Sequence, residues 1–390
     1  MIRETIAPQE HDLERSVQLR RALHRAPELS EKELRTAATI AEAMRSAGAS
    51  EVLTGVGGHG VVAIFDGPKP GPAVMLRAEL DALPIREETG VAHCSEVPGR
   101  AHLCGHDGHM AILHAVAMML GRNRPQSGRA ILLFQPAEEN GEGARAMLAD
   151  PRVPALAPDW IFALHNLPGL SFGHVSLAEG QFACASGGMR VAFQGRAAHA
   201  SSPETGISPR AALARLMEAL PALGSEARFP DPDFALVTIA RVAMGAQAFG
   251  VSPGEGEIWA TLRTLSDETM ARLVSRAETL ARLEAEAGGL GCTISYHEVF
   301  QSCRNDPEAV VRLRAAFDDL GVPHGPEGQP WRPSEDFGLF GALAPSAMFF
   351  LGSGIEQPPL HDPAFDFPDD LIAVGARIFL RVLERELGLD

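Results

Sequence analysis

Hydrophobic positions change period several times along the chain, and each change predicts an element. Residues 11–26 carry Leu13, Val17 and Leu23, and residues 31–47 carry Leu34, Ala38, Ala41 and Met44. That spacing predicts two amphipathic helices, the second stopped by Gly48. Short β-like runs follow at 61–65 and 73–77, separated by Gly67-Pro68-Lys69-Pro70-Gly71. A hairpin, or two adjacent strands, is expected there. Residues 111–120 are apolar nearly all round, which predicts a buried helix. Residues 131–134 then read as a buried strand halted by Pro136, 142–148 as a helix and 160–164 as another buried strand. Strands alternating with helices predict an α/β sheet covered by helices on both faces.

Near residue 180 the style changes. Strand-like runs at 189–194, 234–242 and 258–263 alternate with helices at 208–220 and 267–287, and a last strand is expected at 292–299. This is an α+β module of about a hundred residues, enough for its own core. Beyond residue 305 the α/β style returns, with a helix at 307–320, a strand at 347–351 and a closing helix at 369–386. The expected organisation is a discontinuous domain, 1–180 with 300–390, into which 181–299 is inserted.

Length and charge narrow the function classes. The 390 residues suffice for two domains, and the net charge of −16 disfavours nucleic acid or an anionic membrane as partner. No basic-then-apolar leader and no spanning apolar run is read, so a cytoplasmic protein is expected. Five cysteines, an odd number at irregular spacing, suit reduced thiols better than a disulfide framework. No role is read for Cys94, Cys184, Cys292 or Cys303.

Candidate chemistry gathers at the ends of apolar runs. Cys104 and His106 stand two apart, and in an extended segment both would face one side, where one or two metal ions can be held. Taken alone, the pair could equally be a buried thiol beside a hydrogen-bonded histidine. His102, His109 and Asp107 crowd the same stretch, with His109 read as a supporting residue. Glu138 and Glu139 follow a buried strand and a proline. Two adjacent carboxylates repel, and cations would stabilise them while leaving one free to take a proton from water. Glu139 is assigned to the metal and Glu138 to general acid/base work. His165 closes the run Ile161-Phe162-Ala163-Leu164, and His361 lies in a proline-bounded loop. Either alone could be an ordinary histidine; the joint pattern is what points to a metal centre. His199, in Gly195-Arg196-Ala197-Ala198-His199-Ala200-Ser201, is a surface histidine unless the inserted module closes over that centre, where it could donate to an oxyanion.

These segments resemble the M20 family of metallopeptidases, in its amidohydrolase branch of hippurate hydrolases, N-acyl-amino-acid deacylases and auxin-conjugate hydrolases. The likeness spans nearly the whole chain. Its landmarks are Arg20 to Ser30, Arg77-Ala78-Glu79-Leu80-Asp81-Ala82-Leu83-Pro84-Ile85, Cys104 to His109, Gln135 to Glu139, Gly195 to Ser201, Ser334-Glu335-Asp336-Phe337 and Leu360 to Pro363. The resemblance implies a zinc-peptidase-like α/β domain with a central mixed sheet and an inserted α+β lid or dimerisation domain. It implies two divalent metal ions, zinc or manganese with cobalt or nickel as options, held by Cys104, His106, Glu139, His165 and His361. Glu138 matches the catalytic base, and His199 a lid histidine acting within its own subunit or across a homodimer. Arg263 matches an arginine that meets a substrate carboxylate; it could instead be a strand-end surface residue.

One departure stands out. The family commonly has Asn-Val-Ile-Pro where this chain has Gly250-Val251-Ser252-Pro253, so a polar contact to the substrate is missing. The expected activity is hydrolysis of the amide bond of a small N-acyl amino acid or related N-acyl compound. Two other readings are weighed against it: a non-catalytic metal- or ligand-binding homologue, and a cysteine hydrolase built on Cys104.

Overall fold

The computed structural model describes residues 7–389. They group into two compact units. The first takes the chain up to Phe182, Arg304–Gln329 and the residues from Asp336 on; the second takes Ala183–Cys303 and Pro330–Glu335. That return of six residues to the second unit has no counterpart in the hydrophobic pattern.

The first unit is built on helices α1 (Glu10–Arg25), α2 (Leu34–Ser46), α3 (His106–Arg122) and α4 (Gly143–Ala149). Its large-sheet strands are β1 (Glu51–Val56), β2 (Gly60–Asp66), β3 (Ala73–Glu79), β4 (Arg129–Gln135), β5 (Trp160–Pro168) and β6 (Val175–Ser176). A two-stranded ribbon pairs β7 (Gly180–Ala183) with β14 (Cys303–Asn305). The second unit contributes β8 (Ala185–Gln194), β9 (Ala198–His199), α5 (Arg210–Ala219), β10 (Ala235–Met244), β11 (Val251–Ser252), β12 (Glu255–Thr264), α6 (Asp267–Gly288) and β13 (Gly291–Phe300). The first unit resumes with α7 (Pro307–Leu320), β15 (His324–Gly325), β16 (Ser346–Gly354) and α8 (Leu371–Leu387).

The first unit's eight strands form one mixed sheet in the order β1-β2-β4-β3-β5-β16-β6-β15. Strands β4, β3, β5 and β16 run parallel to one another, β2 pairs antiparallel with β4 and β1 with β2 at one edge, and β6 pairs antiparallel with β16 toward the other. The expected adjacency of β2 and β3 is therefore corrected: β4 lies between them. Parallel β3 and β4 need a crossover, which α3 supplies, while the Gly67–Gly71 turn bonds to Gly128 at the mouth of β4. Alternate residues of the inner strands, Ala63 and Phe65, Val74 and Leu76, Leu132 and Phe134, join one core with α2, α3 and α8. Helix α3 is buried from His106 through Leu120; the nearly all-apolar run 111–120 predicts this for most of it, and the first turn buries His106, Asp107 and His109 as well.

In the second unit, β10-β12-β8-β13 form an antiparallel sheet packed on α5 and α6. Leu273, Ala277, Ala281 and Ala285 repeat every four residues along α6 and make its buried stripe. Ser266 starts that helix by accepting the Thr269 N–H. Among the described residues no disulfide forms, and no helix is long and apolar enough to cross a membrane.

Candidate metal centre

The carboxyl ends of β3, β4 and β5 lie side by side, Glu79 opposite Gln135 and Arg77 opposite Ala163. In a parallel sheet this edge is where loops converge and where binding groups are set. Four segments deliver donors to it.

The first is the turn into α3. It is not the extended Cys-x-His segment expected from spacing: Gly105 takes a left-handed φ of 97° and His106 is already the first helical residue. That tight turn, open to glycine, brings the two donors together. A Cβ on Gly105 would lie 2.2 Å from Asn166 Oδ1. Gly105→Ala is therefore expected to destabilise the protein by about 2–3 kcal/mol from strain and clash together and to weaken divalent-metal binding. Thermal unfolding and calorimetric metal titration check it; a variant with parental values for both would show that the turn is not constrained.

The second segment, Pro136 to Glu139, leaves β4 through Ala137, whose φ is 52° and whose N–H donates to Glu33 Oε1 at 2.7 Å. The Glu139 N–H donates to Asp81 Oδ2 at 2.9 Å, a carboxylate that Ser30 Oγ also reaches at 2.7 Å. Burial, with the nearby Asp81 charge, raises Glu33 to about 7 despite the backbone N–H groups it accepts. The third segment is β5, where His165 Nδ1 donates to the Asn166 carbonyl at 2.8 Å and leaves Nε2 facing Cys104 Sγ at 3.4 Å. The fourth is the loop of His361, a non-glycine residue at φ 66° whose N–H donates to the Leu103 carbonyl at 2.9 Å. That bond sets it beside Cys104.

The donors converge. Cys104, His106 and His165 have ligand atoms within 4.8 Å of one another, as do Cys104, Glu139 and His361, and His106, Glu138 and Glu139. His361 Nε2 lies 3.6 Å from Glu139 Oε2, and His106 Nε2 lies 3.9 Å from Glu138 Oε2 and 3.8 Å from Glu139 Oε1. His106 Nε2 is fully buried without a hydrogen-bond partner, while Nδ1 faces the Asp81 carbonyl at 2.9 Å. A buried imidazole nitrogen aimed at two carboxylates fits a divalent cation, and the other ring nitrogen is oriented as ligating histidines require. Soft thiolate, imidazole and carboxylate donors together suit zinc, manganese, cobalt or nickel.

The electrostatics agree with the need for a cation. Burial, then the charges of Glu139 and Glu138, push the Cys104 thiol well above its ordinary value. A thiol held protonated in this way is a weak nucleophile, whereas a cation bound beside it would favour the thiolate. Burial pulls His106 down, but Asp81, Glu79 and Glu139 outweigh it and raise it to about 10. Burial and the neighbouring histidines hold His165 well below its usual range.

His109 takes a supporting place: its Nδ1 faces Glu79 Oε2 at 2.7 Å and its Nε2 faces Asn166, whose Oδ1 is 2.7 Å away. Its partners have no counterpart among the expected site residues. Glu79 pairs with Arg77, which also donates to Gln135 Oε1 at 3.0 Å and Asp336 Oδ1 at 2.9 Å. All of these groups are buried. The available signal was Arg77, Glu79 and Asp81 alternating at the end of an apolar strand, which places charges on one buried face.

The second unit holds the remaining candidates. His199 is exposed in β9, opposite Val251 of β11; its Nδ1 accepts from the Ser201 N–H at 3.1 Å and lies 2.7 Å from Ser201 Oγ. The ring proton then sits on Nε2, as an outward donor. Arg263 is half-buried rather than a free surface residue: Nη1 donates to the Arg332 carbonyl and to Ser334 Oγ, both at 2.8 Å. Around Gly250 nothing lies within 4 Å of where a Cβ would stand.

The chain resembles proteins of one kind across almost its full length. It is 32% identical over 363 residues to an N-acetyl-L-cysteine deacetylase of Bacillus subtilis, covering 93% of this chain and 85% of that protein. It is 30% identical over 400 residues to the IAA-amino acid hydrolase ILR1-like 4 of Arabidopsis thaliana, covering 98% and 88%. The crystal structure of the Bacillus subtilis YXEP protein, described as a dinuclear metal binding peptidase from the M20 family, superposes with a TM-score of 0.79 at 28% identity, covering 97% of this chain and 99% of that one. The family model for peptidase family M20/M25/M40 matches residues 75–385, and the chain belongs to that family.

Proposed function

We propose that the protein hydrolyses the amide bond of small N-acyl amino acids or related N-acyl compounds, using two divalent metal ions held by Cys104, His106, Glu139, His165 and His361. The observation that carries this reading is the convergence of three overlapping donor sets beside the Glu138 carboxylate. Bound there, two cations would supply Lewis acidity toward water and the acyl oxygen. Glu138 takes a proton from water as its oxygen bonds to the acyl carbon, and hands that proton to the amine nitrogen as the C–N bond breaks. His199 offers its Nε2–H to the acyl oxygen as negative charge develops, and Arg263 meets a substrate carboxylate through the nitrogens not already held by Arg332 and Ser334. Zinc or manganese is the resident ion in this reading, with cobalt or nickel as alternatives, and the working protein is a cytoplasmic homodimer or dimer-based oligomer in which the second unit serves as lid and dimerisation domain. Metal binding requires the ligand histidines to be neutral, and proton transfer requires Glu138 to be ionised, so hydrolysis falls as the solution becomes acidic. A non-catalytic binding homologue has no use for a carboxylate such as Glu138 next to a complete donor set.

Substrate choice turns on Gly250. A panel of N-acetyl, N-benzoyl and longer N-acyl amino acids, each as free acid and as amide, with manganese or zinc added, tests the reading directly. Hydrolysis of part of the panel is expected; no turnover of any member with either ion would overturn it. Because the space at Gly250 is open, Gly250→Asn is expected to leave stability within about 0.5 kcal/mol of the parent. The same change is expected to raise kcat/KM for free acids relative to amides. An unchanged acid-to-amide ratio would remove position 250 from substrate recognition.

A further inference from the structure

The stretch from Arg20 to Ser30 is a family landmark, yet none of it supplies a donor to the centre. Arg20 and His24 stand one turn apart on α1, and both are completely buried. His24 Nδ1 lies 2.8 Å from Asp107 Oδ2, on the residue that follows His106, and its Nε2 lies 3.3 Å from Glu87 Oε1. Arg20 reaches the other way. Its Nη2 donates to Asp366 Oδ1 at 2.7 Å, Nη1 bonds to the Phe367 carbonyl, and Nε lies 3.1 Å from Asp369 Oδ1 and 3.6 Å from Asp107 Oδ2. Asp366 and Phe367 belong to the segment that begins at His361. That segment abuts the first turn of α3: a Cβ on Gly108 would lie 2.4 Å from the Phe367 ring, and His361 is itself bonded to Leu103.

Helix α1 thus grips two stretches some 250 residues apart in sequence, each carrying donors. We propose that Arg20 and His24 are positioning residues, a two-armed clamp that holds the Cys104–His106 turn and the His361 segment in register. The inference rests on the reading of this centre as a metal site. A buried guanidinium that bonds a carbonyl and carboxylates in several directions at once fixes the geometry of all of them, and a histidine bonded to Asp107 fixes the helix end that presents His106.

The test is His24→Ala, with His24→Asn and Arg20→Lys beside it, read by calorimetric titration with zinc alone and by amide hydrogen exchange of the metal-free protein. Loss of a supporting partner of this kind is expected to weaken zinc binding tenfold to a hundredfold. Exchange should quicken at 104–109 and 361–367 and remain parental in α6. His24→Asn keeps a donor toward Asp107 and is expected to recover most of the affinity. If His24→Ala does not fold, Arg20→Lys, which keeps the charge and loses the fork, carries the same expectation. Zinc affinity within twofold of the parent in a folded His24→Ala or Arg20→Lys protein overturns the clamp, as does exchange that quickens uniformly. A parent that binds no zinc refutes the metal reading instead, and the exchange pattern then still decides the clamp.

Discussion

Replacing Glu138 with glutamine is expected to lower kcat by about a thousandfold or more while the metal content stays parental, since general acid/base groups contribute roughly 10²–10⁴-fold. The carboxamide keeps the size and one oxygen of the side chain but can neither take nor return the proton. Glu138 is 6% exposed and directly follows the Ala137 turn, and glutamine matches it in size, so the fold around it should persist. The measurement is steady-state hydrolysis of the best panel substrate beside metal analysis of the same preparation. A variant with near-parental kcat would take Glu138 out of the base role. Loss of both metal and activity would reassign it as a ligand.

Arg77→Met is expected to have the largest effect on stability. Arg77 is fully buried and lies between Glu79 and Asp336, with Gln135 accepting from its Nε. Burial pushes Glu79 upward, yet Arg77 and His109 hold it well below the usual carboxylate range. Removing the guanidinium takes the shared cation away from two buried carboxylates, a change that costs about 3–5 kcal/mol when one partner of a buried pair is deleted. For a unit of this size that corresponds to a fall in Tm of about 10 °C. Metal affinity should fall as well, because Glu79 orients His109 and His109 packs at 4.8 Å between ring centroids against His165. Thermal unfolding of the metal-free protein is the check; a Tm within about 2 °C of the parent would mean that the network is already compensated by other groups.

Much of the architecture was legible from hydrophobic period, because most long elements bury a regular face. The burial of α3 over its nearly all-apolar run 111–120 and the stripe of α6 are direct consequences of their sequences. What period could not reveal was register. The order β2-β4-β3 depends on a parallel crossover closing through α3, and no local pattern distinguishes it from a hairpin joined by Gly67–Gly71. Short β6 and β15, two residues each, are too brief to carry a period at all. Return of Pro330–Glu335 to the second unit depends on single hydrogen bonds, Arg263 to Ser334 among them, which composition does not announce.

The donor residues were legible for a different reason. Thiol, imidazole and carboxylate groups at the ends of apolar runs are costly unless they share a task, so their coincidence in four segments was informative. Their local geometry was not. Gly105 makes a left-handed turn where an extended segment was expected, Ala137 takes a positive φ that its residue type disfavours, and His361 takes one that its proline-bounded loop does not announce. His109 was legible as a supporting residue from its crowded stretch; its partners Glu79 and Asn166, and Asp81 beside His106, are placed by tertiary register, Glu79 opposite Gln135 above all, and only the alternation of charge at the end of β3 hinted at Glu79 and Asp81.

If these separated donors hold the divalent cations on which hydrolysis depends, activity must follow metal titrated back into exhaustively chelated protein. Hydrolysis of the best N-acyl substrate is expected to disappear with the metal and to return in full as two equivalents per chain are added. Turnover that persists in protein shown to be metal-free would contradict it.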